Sequence, residues 1–148
     1  MRLNLGCSDA HEPGFLNVDI CPPADVVADL RERWPWDDAS IEYIRAHDIV
    51  EHLPSKIHTM NEAHRVLASG GTFEIRVPTT DGRGAFQDPT HCSFWTPNDW
   101  RYYCVDGLEW KRFARAYGIT CAFRLVNSVP ARYGDDVNYE HVWLEAVK

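Results

Sequence analysis

The chain has 148 residues, 45% of them hydrophobic and 25% charged, an ordinary globular composition that excludes a disordered or collagen-like polymer. A formal net charge of −7 argues against sequence-blind nucleic-acid binding, which needs a basic footprint to release counterions from phosphate. No apolar run approaches the length of a membrane span.

The size predicts one domain over 1–148, and strands and helices alternate along it. Arg2–Leu5 reads as a first strand ending at Gly6, and Phe15–Ile20 as a second. The stretch from Gly6 to Gly14 is short for a parallel crossover, so a stripped crossover without a full helix is expected there. Ala24–Leu30 is a short third strand and Ile41–Ala46 a fourth, with His47-Asp48 at its carboxyl end. Ser55 is a helix N-cap; Ile57, Met60, Ala63, His64 and Leu67 follow at helical spacing, and Gly70-Gly71 is expected to end that helix. Phe73, Ile75 and Val77 alternate with charged residues in a fifth strand stopped by Pro78. Thr96-Pro97-Asn98-Asp99 predicts a helix through about Cys104, and Trp110–Tyr117 another. Two strands, about Ile119–Val126 and Tyr139–Val147, close the chain across a polar connection, Gly134-Asp135-Asp136-Val137-Asn138.

This order predicts an α/β fold: a Rossmann-like, mostly parallel sheet with a C-terminal antiparallel strand pair. Met1 leads almost directly into the first strand with no room for a signal peptide, so a cytoplasmic location is expected. The five cysteines are scattered, without C-x-x-C spacing, and read as reduced core residues rather than disulfides or zinc ligands.

Open parallel sheets bind ligands outside the carboxyl ends of their strands. Gly6, Cys7 and Ser8 stand there after the first strand, Asp19 at the end of the second, Asp29-Leu30 at the third and His47-Asp48 at the fourth. A carboxylate at a second-strand end can accept both hydroxyls of a ribose. Acids on successive strands suit a nucleoside with a positive charge. The G-x-G-x-x-G fingerprint is absent, and Gly6 stands closer to Asp19 than the roughly 20 positions of that motif, so NAD or ATP is disfavoured.

Leu3-Asn4-Leu5-Gly6-Cys7 and Pro13-Gly14-Phe15-Leu16-Asn17-Val18-Asp19-Ile20 resemble the first two motifs of class I S-adenosylmethionine (SAM)-dependent methyltransferases, in particular a small bacterial and phage-type group with a reduced first helix. Ala28-Asp29-Leu30, Ala46–Pro54, Glu62–Phe73 and Gln87–Pro97 continue the resemblance in order. Two departures stand out: Ser8 replaces the second glycine of the first loop, and the helix that usually precedes the first strand is missing.

The resemblance implies a minimal class I methyltransferase fold and SAM as methyl donor. Its cofactor-binding residues map onto Asn4, Gly6, Cys7, Ser8, Asp19, Ile20, Asp29, Leu30 and His47. Asp19 would hold the ribose, Asp29-Leu30 would border the adenine, and the Gly6–Ser8 loop would meet the methionyl end. His91 and Asp48 are the catalytic candidates, His91 as a general base on an acceptor hydroxyl or amine. Asp48, Glu51 and His52 stand at i, i+3 and i+4, a spacing similar to a cation-holding segment of some ubiquinone-pathway O-methyltransferases. The reading taken here is structural hydrogen bonding, with no metal ligands assigned. The segment from Asp81 to Trp95 is expected to close over the donor and bring His91 to the acceptor. The expected acceptor is a small molecule or saccharide, with no membrane and no nucleic acid as partner and a homo-oligomer left open. The alternative is a non-catalytic SAM- or nucleoside-binding module, or a subunit that needs a partner.

Overall fold

A computed structural model describes residues 1–134 and 136–148; Asp135, within the expected polar connection, lies outside the described residues. Seven strands form one sheet in the order β3-β2-β1-β4-β5-β7-β6. They are β1 (Arg2–Leu5), β2 (Leu16–Asp19), β3 (Val26–Val27), β4 (Ile41–His47), β5 (Leu67–Pro78), β6 (Phe123–Tyr133) and β7 (Val137–Ala146). The first five run parallel, and β7 inserts antiparallel between β5 and β6. Leu3 pairs with Leu16 and Leu5 with Val18, so β1 and β2 are parallel neighbours joined by the short helix-free crossover.

Among the described residues, three α-helices accompany the sheet: α1 (Lys56–Val66), α2 (Gly84–Gln87) and α3 (Leu108–Tyr117). The Ser55 hydroxyl accepts from the His58 amide at 3.1 Å and starts α1, a cap worth about 1 kcal/mol. Met60, Ala63 and Val66 of α1 join Leu3, Ile44, Phe73, Ile75, Val142 and Leu144 in one buried core. Gly118 ends α3 in a left-handed conformation.

The two faces of the sheet differ. Alternation along the strands buries Leu3, Ile44, Ala46, Phe73, Ile75 and Leu144 on the helical side. The intervening residues Asn4, Tyr43, Arg45, His47, Glu74, Arg76, His141 and Trp143 therefore point to the other side. The connections from β1 to β2 and from β2 to β3 contain no helix to cover that side.

Several boundaries depart from the sequence reading. Gly70-Gly71 do not end α1: the chain is already extended at Leu67, and both glycines lie within β5. Gly70 takes φ +76 where the β4–β5 register shifts between Ile41 and Tyr43, so its freedom serves a strand irregularity. The helix expected after Thr96 is only a 3-10 turn, Asp99–Tyr102. There the Asp99 carboxylate accepts from the Thr96 amide and from Lys56, and Trp95 stacks on Trp100 in the core. Strand β6 begins at Phe123 rather than Ile119, because the Thr120 and Cys121 amides donate to the Asn61 side chain. The third strand shrinks to Val26–Val27, with Asp25 bound to the amide and side chain of Asn17.

Candidate functional site

The loop after β1 is built from small local contacts. Gly6 has φ +65, and a Cβ there would fall 2.7 Å from the side chain of Ile49. Both facts demand glycine. Ser8 is also left-handed, φ 45, and its amide donates to Asp19 Oδ2 at 2.9 Å. The Asn4 amide group donates to Asn17 Oδ1 and to the Ala10 carbonyl, so this buried side chain braces the loop from beneath.

Two clefts meet at Gly6. The first, of about 150 Å³, is bounded by Asp19 and Ile20 after β2, Ala28–Arg31 after β3, and Ile49, His52 and Leu53 after β4. The second, of about 340 Å³, is bounded by Asn4, Cys7 and Ser8 on one side and by Arg45, His47, Asp48 and Arg76 on the other. Each cofactor-binding residue expected from the sequence lines one of these two clefts. The sequence reading misses Ile49, His52, Leu53 and Arg76: the first three follow His47-Asp48 after β4, where the fold of the turn decides which side chains face the cleft, and Arg76 reaches in from β5.

Asp19 is half-buried, which by itself would raise its pKa. The amides of Ser8, Cys21 and Ile20 outweigh that and hold the carboxyl below its usual range, so it is an anion at neutral pH. Asp29 is half-buried and gripped by Arg31, whose side chain and amide hold its pKa to about 2. Asp48 adopts φ 54, and its carboxylate pairs with Arg76. Its amide donates to the Arg76 carbonyl at 2.9 Å, continuing the β4–β5 ladder one residue beyond His47.

The trio read from the sequence does not assemble. Val50–His52 is a single 3-10 turn; Asp48 turns to Arg76, while Glu51 is only 2% exposed. His91 takes the place of Asp48. The ligand-type atoms of Glu51, His52 and His91 lie within 4.8 Å of one another, with His91 Nε2 3.9 Å from Glu51 Oε1. Burial, reinforced by the nearby Asp48 charge, pushes the Glu51 carboxyl up to about 8, and its Oε2 has no hydrogen-bond partner. His91 Nδ1 lies 3.0 Å from the Ala85 carbonyl and donates to it, which leaves Nε2 as the basic atom of the neutral ring. His52 meets His91 edge-to-face and lies 2.9 Å from the Thr90 hydroxyl, which in turn donates to Asp88.

The segment from Asp81 to Trp95 is docked. The Cys92 and Ser93 amides donate to the Glu51 carbonyl, the Ser93 hydroxyl to the Val50 carbonyl, and Phe86 stacks on Phe94. His91 lines neither cleft; it stands behind His52, which lines the first.

Comparison with known proteins adds a family and a set of folds. Residues 8–75 match a family model described as a methyltransferase domain. A sequence comparison with curated proteins finds no match. Among solved structures, the chain resembles one from Haloferax volcanii, described as a complex between the Trm112 methyltransferase activator and a methyltransferase. The identity is 14% and the TM-score 0.70, over 99% of this chain and 82% of that one. It also resembles a Burkholderia thailandensis 1,6-didemethyltoxoflavin N1-methyltransferase with its substrate and S-adenosylhomocysteine bound: 17% identity, TM-score 0.65, 99% of this chain and 71% of that one. A SAM-dependent methyltransferase from Methanosarcina mazei gives 11% identity and TM-score 0.70, over 99% and 92% of the two chains. At these identities the likeness is one of fold, and the fold is the class I methyltransferase fold in minimal form. No helix of the described residues is long and apolar enough to cross a membrane.

Proposed function

We propose, from its fold and from the methyltransferase domain matched over residues 8–75, that the chain is a class I SAM-dependent methyltransferase and that it methylates a small-molecule or saccharide acceptor. The observation that carries the reading is the pair of clefts sharing Gly6, with the ionised Asp19 on the wall of the first. An elongated nucleoside–amino acid fits such a shape. Apolar Ile20, Leu30, Ile49 and Leu53 offer faces to an adenine, with Asp29 at its edge. Asp19 would accept from the ribose hydroxyls. Asn4, Gly6, Cys7, Ser8 and His47, which line the second cleft, would surround the methionyl end.

When bound, SAM supplies a methyl group on a positively charged sulfur. The protein's part is then mostly positioning, because displacement at that methyl needs alignment more than acid or base help. Asp48 and Arg76, locked together at the ends of β4 and β5, form the wall of the second cleft beside the transfer point. His91 lines neither cleft, so as a base it would take up the acceptor's proton only by relay through His52, which lines the first cleft and meets its ring. Its Nε2 is the free atom, since Nδ1 is committed to Ala85. The bond made is acceptor–carbon and the bond broken is sulfur–carbon. The His91 proton passes to solvent after release.

Calorimetric titration with S-adenosylhomocysteine, followed by mass spectrometry of a mixed set of hydroxyl and amine acceptors incubated with SAM, tests the proposal. Binding with a gain of 14 mass units on one acceptor is expected. Absence of binding defeats the reading. Binding without product favours the second reading, a SAM-binding module that requires a partner, for which the uncovered sheet face is the motivating feature. The Haloferax volcanii structure, with its activator, makes a co-expressed partner the next arm of that test.

A further inference from the structure

On the open face of the sheet, His47, Glu74 and His141 come from three neighbouring strands. His47 and His141 are both register partners of Arg76, on either side of β5, and Glu74 lies two residues earlier on β5. Both rings turn back to one atom: His47 Nε2 is 3.0 Å and His141 Nε2 2.9 Å from Glu74 Oε1. We propose that these three side chains form a binding site for a divalent transition-metal ion of the zinc type, beside the second cleft that His47 also lines.

The donor set supports that ion class. Two imidazoles and a carboxylate suit zinc, cobalt or nickel, whereas magnesium and calcium favour oxygen alone. With metal–ligand bonds of about 2.0–2.2 Å, tetrahedral ligands stand roughly 3.3 Å apart. The two nitrogen–oxygen separations need to open by only a few tenths of an ångström, and all three atoms already lie within 4.8 Å of one another. Without metal, each ring donates an Nε2–H to the carboxylate. With metal, each neutral ring shifts that proton to Nδ1 and offers the Nε2 lone pair, so no co-reactant is required.

The surroundings hold the ligands in place. Glu74 Oε2 accepts from the Tyr43 hydroxyl at 2.7 Å and from Arg45 Nε at 3.3 Å, which leaves Oε1 aimed at the histidines. The His141 ring lies against Trp143 at 3.9 Å between centroids and meets His47 edge-to-face. All three ligands sit on strands, where positions are better defined than on loops. The two nearby guanidinium groups are both neutralised, Arg45 by Glu12 and Arg76 by Asp48, so Glu74 leaves the cluster with an excess negative charge. The His47 and His141 side chains are 23% and 28% exposed while Glu74 is 7% exposed, a buried anion beneath two accessible rings. Water has access to the fourth position.

A second cluster, Glu51, His52 and His91, could compete for metal, and the test separates the two. Chelator-treated protein is titrated with cobalt(II), followed by its visible absorption, and with zinc by calorimetry. One equivalent is expected to bind, with affinity at least tenfold weaker in His141→Ala and in Glu74→Gln and unchanged in His91→Ala. In uniformly ¹⁵N-labelled wild-type protein, zinc should move the imidazole nitrogens of His47 and His141; this readout decides the matter if either variant loses its fold. No binding by the wild type, binding that survives His141→Ala, loss in His91→Ala, or nitrogen shifts at His52 and His91 instead would each overturn the proposal.

Discussion

The Ser8 amide donates to Asp19 Oδ2 across 2.9 Å, tying the loop after β1 to the end of β2. The same carboxylate also accepts from the Cys21 amide at 3.3 Å. Asp19 thus has two duties: it shapes the loop, and it keeps an ionised oxygen on the wall of the first cleft.

Asp19→Ala should weaken S-adenosylhomocysteine binding more than tenfold, since each lost charge-assisted hydrogen bond costs about 1.5–3 kcal/mol before water compensates. Asp19→Asn retains an acceptor for the Ser8 amide but turns its amino group to the Cys21 amide, so it should lower the melting temperature less than Asp19→Ala while still losing affinity. Titration calorimetry beside thermal melts separates the two duties. Wild-type affinity in both variants would remove Asp19 from the site.

Gly6 and Ser8 both take positive φ, yet substitution should act in opposite directions. Gly6→Ala adds left-handed strain and drives a methyl group into Ile49, a combined cost of about 2–4 kcal/mol. Ser8→Gly relieves strain without touching the amide that Asp19 holds, and should stabilise by about 1 kcal/mol. Urea unfolding curves measure both changes.

Glu51 makes stability depend on pH. Its folded pKa of about 8 lies above the ordinary carboxyl value of 4.5, because burial disfavours the charged form. The folded state therefore holds a proton that the unfolded chain releases. The resulting stability is fully present below about pH 4.5 and is lost as pH rises through about 8. Glu51→Gln carries no such penalty and should gain on the order of 1 kcal/mol or more over wild type at pH 8.5, with no gain at pH 4. An equal effect at both pH values would show that the carboxyl is not held neutral.

His91→Ala should lower kcat by about 10²-fold or more, the usual worth of a positioned base. It should leave SAM affinity nearly unchanged, because His91 lines neither cleft. Binding by calorimetry and turnover with a saturating acceptor separate the effects. A loss confined to affinity would place His91 among the supports of His52 rather than in the proton path.

The alternation of apolar residues, the Ser55 cap and the turn glycines are local signals, and they determined the order of strands and helices, the parallel sheet and its antiparallel end. Gly6, Asp19, Asp29 and Asp48 were legible for the same reason: in a parallel sheet, standing at a strand's carboxyl end is already a position in space. Which side chains meet across strands is different, since it depends on register and on loops folding back. Only the tertiary structure brought His91 to Glu51, 40 positions earlier, in place of Asp48. It alone set Ile49 against Gly6 and turned His47 and His141 onto Glu74. Even the end of α1 was decided this way. Gly70-Gly71 carry the same local signal in a helix cap and in a strand irregularity, and pairing with β4 chose the second.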